Sequence, residues 1–280
     1  MYLPYNFGGL NNQSYKKAKV VVLPISLEKT VSYMPGTKFG PRAIINASRY
    51  IELFDIEMGR DLSQIGIFTL PELLFAKKSL EESIKEIKQA ALNLLKDKKF
   101  ILSLGGEHTI SYGLISAFKE KYKDFSVLQI DAHSDLRDEY EGTKFSHACV
   151  MRRVRDLGIS VTGVGIRSQD ETEIGYMKKK KIKTIFYAPM IPLKKIISSL
   201  SKNVYITFDV DGLDPSIMPS TGTPEPGGLG WYEVLSLIKQ VAKERKIVGA
   251  DIVELSPLKG IIFPDFLAAK LAYKIIGYSL

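Results

Sequence analysis

The sequence predicts an α/β fold around a mainly parallel sheet with helices on both faces, and three observations lead there. Short apolar runs alternate with stretches of three- and four-residue periodicity along most of the 280 residues. The turns between them are short, and several runs are continuously apolar, as strands covered on both sides are. Polar residues with ligand chemistry fall at the ends of those runs, where sites form in such folds.

Residues 19–25 (KVVVLPI) form a β-branched run that reads as a buried strand. A loop at residues 33–40 (YMPGTKFG) follows, lining a site entrance or packing on a neighbouring subunit. Pro41 suits the first turn of a helix running through Ile44, Ile45 and Ala47. Ser79 and Glu82 make a capping box for a helix whose Ile84, Ile87, Ala91 and Leu94 share one stripe. A strand at 100–104 leads into Gly105-Gly106-Glu107-His108, where two glycines let the backbone turn sharply, and then into a helix through Ile110, Leu114 and Phe118. The strand at 127–130 ends in Asp131-Ala132-His133-Ser134-Asp135. Further strands are expected at 159–166, 183–187, 203–210 and 247–253, and helices at 231–243 and 265–276. No repeat, low-complexity tract or Ser/Gly linker interrupts the chain, so one domain over residues 1–280 is expected.

Hydrophobic content of 45% and 25% charged residues suit a globular protein in water. One cysteine, Cys149, excludes an intrachain disulfide and fits a reducing compartment; it reads as a small buried side chain. Neither a secretory leader nor a membrane span is visible, so a cytoplasmic protein without membrane partners is expected. The net charge of +8 comes mainly from dispersed lysines, with one run at 178–181 that reads as a solvated surface. Without zinc-finger spacing or aromatic ribonucleoprotein motifs, nucleic acid is not an expected partner.

Asp131, His133 and Asp135 stand at alternate positions, so a continuing strand would project all three to one side. Asp209 and Asp211 repeat that spacing at the end of another run, where two carboxylates on one face repel unless a cation lies between them. His108 adds a second imidazole at a third strand end. Singly, each residue has an ordinary structural explanation as a cap, turn or core histidine. Together they supply four carboxylates and two imidazoles, enough for two metal ions, and this hard set without thiolate favours manganese over structural zinc.

GGEH at 105–108, DAHSD at 131–135 and TFDVDGLDPS at 207–216 resemble the metal-binding signatures of the ureohydrolases, the arginase and agmatinase family. STGTPEPGG at 220–228 and ADIVELSP at 250–257 extend the resemblance, which runs from about Ser32 to the final helix. It implies a three-layer α/β/α sandwich, two manganese ions per subunit and a homo-oligomer, trimer or hexamer. It also implies that His108, Asp131, His133, Asp135, Asp209 and Asp211 divide between the ions. A water activated by them would attack a guanidinium carbon, releasing urea and an amine. Glu254 matches the family's guanidinium-binding glutamate, and His147 its proton-shuttle histidine.

The loop after Asp135 bears on the substrate. Asp138, Glu139 and Glu141 suit a free ammonium better than a carboxylate, whereas Arg137 suits a carboxylate. The segments at 143–153 and 32–44 look more like agmatinases than arginases. Agmatine, a small cationic guanidino compound, is therefore the expected substrate, giving putrescine and urea in polyamine biosynthesis. Guanidinobutyrase or arginase activity is the nearest alternative, and a non-catalytic metal-binding relative is the alternative from another class. A deacetylase-like zinc site is disfavoured by the lack of a His-His pair, and a dinucleotide fingerprint at Gly163-Val164-Gly165 by Ser168 in the third glycine's place.

Overall fold

The computed structural model describes residues 3–280. Its strands are β1 (Val20–Ser26), β2 (Phe54–Asp55), β3 (Arg60–Asp61), β4 (Ile67–Thr69), β5 (Leu73–Leu74), β6 (Phe100–Gly105), β7 (Phe125–Ile130), β8 (Ser160–Ile166), β9 (Ile185–Tyr187), β10 (Asn203–Asp209) and β11 (Lys246–Val253). The helices are α1 (Gly40–Ser48), α2 (Leu80–Lys96), α3 (Ile110–Lys121), α4 (Val150–Asp156), α5 (Glu171–Lys180), α6 (Leu193–Ser198), α7 (Trp231–Glu244) and α8 (Phe263–Ser279).

One sheet runs in the order β4-β1-β6-β11-β10-β7-β8-β9, with β5 beside the end of β1, and every pairing in it is parallel. β2 and β3 form a separate antiparallel hairpin. Alternation along each strand feeds two cores. Val20 and Val22 of β1 pack with α1, α7 and α8, while Val21, Leu23 and Ile25 pack with α2, α3 and α4. The result is the three-layer α/β/α sandwich.

The expected strands and long helices all form, within a few residues of their expected ends. Ser79 accepts the Glu82 amide at 3.1 Å, and Glu82 accepts the Ser79 amide at 2.7 Å, completing the capping box. Three helices, α4, α5 and α6, and the short β2–β5 strands lie outside the sequence expectations. α5 (ETEIGYMKKK) buries only Glu173, so it has no apolar stripe to read. The lysine run forms its last turn, where cations are favoured by the helix dipole.

β6, β11, β10 and β7 are consecutive in the sheet although β6 and β7 are consecutive in sequence. After β9 the chain turns back across the sheet and places β10 and β11 between β6 and β7; such reversals of strand order are where parallel α/β sheets open a crevice. Among the described residues, no helix is long and apolar enough to cross a membrane.

Candidate metal centre

Those four strands deliver the polar residues to one edge. His108 follows β6, Asp131 follows β7, Asp209 ends β10 and Glu254 follows β11. The glycines before His108 serve close approach, not the sharp left-handed turn their pairing suggested, since neither has positive φ. A Cβ on Gly106 would stand 2.0 Å from the Leu27 carbonyl oxygen, and one on Gly105 2.4 Å from Ile110 Cδ1.

His108 is 1% exposed. Its Nε2 donates to Thr207 Oγ1 at 2.9 Å; Thr207 in turn donates to Asp251 at 2.7 Å, which also accepts the Tyr205 hydroxyl at 2.8 Å. This buried chain fixes the ring, so that Nδ1 faces three carboxylate oxygens: Asp135 at 2.9 Å, Asp131 at 3.3 Å and Asp209 at 3.4 Å. His133 Nδ1 lies 2.9 Å from Asp211 and 3.8 Å from Asp131.

The six residues converge, but not by the expected strand geometry. β7 ends at Ile130 and β10 at Asp209, before either spacing could act through a pleat. Instead the same tight turn occurs twice. Asp131 Oδ1 accepts the His133 amide at 2.6 Å, and Asp209 Oδ1 accepts the Asp211 amide at 2.9 Å. Each carboxylate holds its turn with one oxygen and presents the other to His108. Asp135 completes the first turn with φ of +53°.

Two ligand triads result, His108/Asp131/Asp209 and Asp131/His133/Asp211, each with its donor atoms within 4.8 Å of one another. Asp131 belongs to both, and Asp135 stands beside the first. His108 Nδ1 forms no well-aligned hydrogen bond despite its carboxylate neighbours. A buried nitrogen facing three carboxylate oxygens fits a shared cation, and the residues present fit two divalent ions.

Electrostatics agree. Burial, with Asp135 and Asp211 nearby, pushes Asp131 up to about 7, and burial beside Asp211 and Asp131 raises Asp209 well above the carboxylate range. Burial opposes the His133 cation, yet the charges of Asp211, Asp131 and Asp135 raise it to about 11. Burial also opposes the Asp211 anion, yet the His133 charge holds it down to about 2. In the ion-free protein the sign follows directly. Asp131 contributes stability at low pH that is lost between its ordinary 3.8 and about 7, and His133 contributes stability that is lost from 6.5 towards 11. Asp211 loses its contribution only in acid, below its ordinary 3.8. Chelator-treated protein should therefore melt at a lower temperature at pH 9 than at pH 6, and a higher melting point at pH 9 would contradict this. Bound ions, which need unprotonated ligands, should shrink the difference.

A cavity of about 280 Å³ opens over the triads. Glu254 lines it with φ of +64°, its carboxylate accepting the His108 amide at 2.5 Å, and burial raises its pKa. His147, the first residue of a 3-10 turn before α4, lines it too, with Nδ1 3.2 Å from Thr30 Oγ1. Cys149, two residues on, is fully buried.

Asp138, Glu139 and Glu141 do not line the cavity, contrary to expectation. Asp138 is drawn outward by Arg153 at 2.6 Å and Arg152 at 3.5 Å, both on α4. Reciprocal Tyr140–Thr143 backbone bonds turn the loop tip to solvent, leaving Glu139 and Glu141 exposed. The wall is formed instead by Arg137 and Tyr140 from this loop, by Asp170 at the start of α5, and by Tyr33 and Met34 from the 33–40 loop. Arg137 is 3.4 Å from Asp170, with its guanidinium 5.2 Å from the Tyr140 ring centre. Asp170, four residues past the end of β8, is missing from the sequence expectations; the signal that could have found it is its capping box with Glu173.

The sequence model of the arginase family matches residues 18–277. The chain belongs to the arginase family. An N(1)-aminopropylagmatine ureohydrolase from Synechocystis sp. is 39% identical over 277 residues, 95% of this chain and 90% of that protein. An agmatinase from Halalkalibacterium halodurans is 34% identical over 252 residues, 89% and 87% of the two chains. The crystal structure of the agmatine ureohydrolase of Thermoplasma volcanium superposes with a TM-score of 0.88 at 34% identity, covering 96% of this chain and 92% of that one. This arginase-family chain is accordingly a ureohydrolase, a hydrolase of guanidino compounds.

Proposed function

We propose that this ureohydrolase uses two manganese ions to cleave a guanidine carrying an amine tail, N(1)-aminopropylagmatine or agmatine. The two triads joined at Asp131, open to one cavity with Glu254 and His147, carry the reading. When bound, the ions supply the positive charge that makes water a nucleophile near neutral pH. The oxygen-rich, thiolate-free donor set favours manganese for that role. Glu254, already oriented by the His108 amide, receives the guanidinium in paired hydrogen bonds. His147 delivers a proton to the leaving amine. Tyr33 and Met34 form a partly apolar wall for the methylene stem. The same reading takes the protein as a cytoplasmic homo-oligomer.

At the outer wall, Asp170 Oδ1 caps α5 through Thr172, and Oδ2 faces Arg137. An ammonium tail can pair with Asp170 in place of Arg137; a carboxylate tail would instead pair with Arg137, and the identity to relatives named for amine substrates favours the first. The 39% identity to an aminopropylagmatine ureohydrolase, against 34% to an agmatinase, puts the longer amine first. Its product would be spermidine, and that of agmatine putrescine. Urea release by manganese-loaded protein should give kcat/KM at least about tenfold higher for these amines than for 4-guanidinobutyrate or L-arginine. Preference for either acid would overturn the assignment, and no urea from any guanidine despite two bound ions would favour a binding protein. Asp170→Asn keeps the helix cap and should raise KM for the amines about tenfold with kcat little changed.

A further inference from the structure

We propose that Glu107 and Thr30 are positioning residues for His147, so that the loop after β1 sets the proton donor. This rests on the role given to His147 above. Glu107 directly precedes His108 in the chain, and its side chain reaches the loop after β1. Fully buried, it accepts the backbone amides of Lys29 at 2.8 Å and Thr30 at 2.7 Å on one oxygen. Two amide donors on one carboxylate oxygen make strong, directional bonds and pin residues 29–30.

Thr30 spends that rigidity on His147. Its hydroxyl oxygen accepts the His147 backbone N–H at 3.1 Å and lies 3.2 Å from the Nδ1 of the same residue. One oxygen thus fixes both the backbone and the ring. Tyr140 meets the ring edge-on, with centroids 5.7 Å apart, and limits its rotation. With Nδ1 occupied, Nε2 is the nitrogen left for the cavity that His147 lines.

A hydroxyl suits this place for a chemical reason. It can accept from the Nδ1–H of the imidazolium before the step and from the Nδ1–H that the neutral ring keeps once Nε2 has given up its proton. A methyl group can do neither. Thr30→Val, nearly isosteric, therefore removes the support and keeps the bulk.

The test is a double-mutant cycle on the full manganese-loaded chain, with urea release from N(1)-aminopropylagmatine and agmatine as the readout. Thr30→Val should lower kcat about 10- to 50-fold, leave KM within about threefold and retain the metal content of the unmodified protein. Thr30→Ser should recover kcat to within about threefold, and Thr30→Ala takes the place of valine if valine disturbs melting. In a His147→Ala background, Thr30→Val should change kcat by less than about twofold, because its partner is gone. An equal loss in both backgrounds, or no recovery with serine, would overturn the proposal. If His147→Ala is slow and Thr30→Val fast, the positioning role fails and the proton-donor assignment stands. If His147→Ala turns over normally, both fail.

Discussion

Asp131→Asn is expected to reduce urea release by at least about 10³-fold and to lower the bound manganese below one ion per chain, a larger loss than any other single ligand should give. The asymmetry comes from its position. Asp131 is common to both triads, whereas His108 and Asp209 serve one, and His133 and Asp211 the other. Asparagine retains an oxygen to accept the His133 amide, so the turn that presents the triads should persist. What is lost is one buried negative charge and one donor oxygen facing His108. Asp211→Asn makes the informative comparison, since it should keep about one ion. Elemental analysis after desalting, alongside initial rates, separates the two. Two ions retained in Asp131→Asn, at normal turnover, would remove the shared-ligand reading.

The contrast between Asp131 and Asp138 shows what the sequence could and could not reveal. Asp131 was legible because chemistry concentrates there: a carboxylate at a strand end, repeated at two-residue spacing beside an imidazole. The turn geometry differs from a pleat, yet brings the same residues together. Asp138 carried the same kind of signal, and its direction was decided elsewhere. Arg152 and Arg153, fourteen and fifteen residues later on a short helix with no strong apolar period, pull it to the surface. Loop charge was visible; which way the loop faces was set by long-range partners. Thr30 failed to stand out for a related reason. A lone threonine carries no pattern, and its meaning lies in Glu107 and His147, 77 and 117 positions away.

Gly106→Ala should be among the most damaging substitutions outside the ligands themselves. The added methyl would sit 2.0 Å from the Leu27 carbonyl oxygen, 2.9 Å from its carbon and 3.0 Å from its nitrogen. These are backbone atoms, so no side chain can swing aside. Relief requires moving β6 from the extension of β1, where Gly106 donates to Ile25 at 2.8 Å and Glu107 to Leu27 at 2.9 Å. It also disturbs the Gly106 carbonyl, which accepts the Glu254 amide at 2.9 Å. His108 and Glu254 are thus both tied to the residue that must shift. Overpacking of this kind costs about 3 kcal/mol, which in a chain of this size lowers the melting temperature by roughly 5–10 °C. Turnover should fall further than unfolding explains, by about 10²-fold at temperatures where the variant is folded, because displacement by an ångström is enough to misplace reacting groups. Gly175→Ala on α5, where an added Cβ meets nothing within 4 Å, is the matched control and should be neutral or stabilising by about 0.5–1 kcal/mol. Thermal melts and urea-release rates on both variants decide it: Gly106→Ala behaving like Gly175→Ala would mean that the approach of β6 to Leu27 does not hold the metal-centre edge of the sheet.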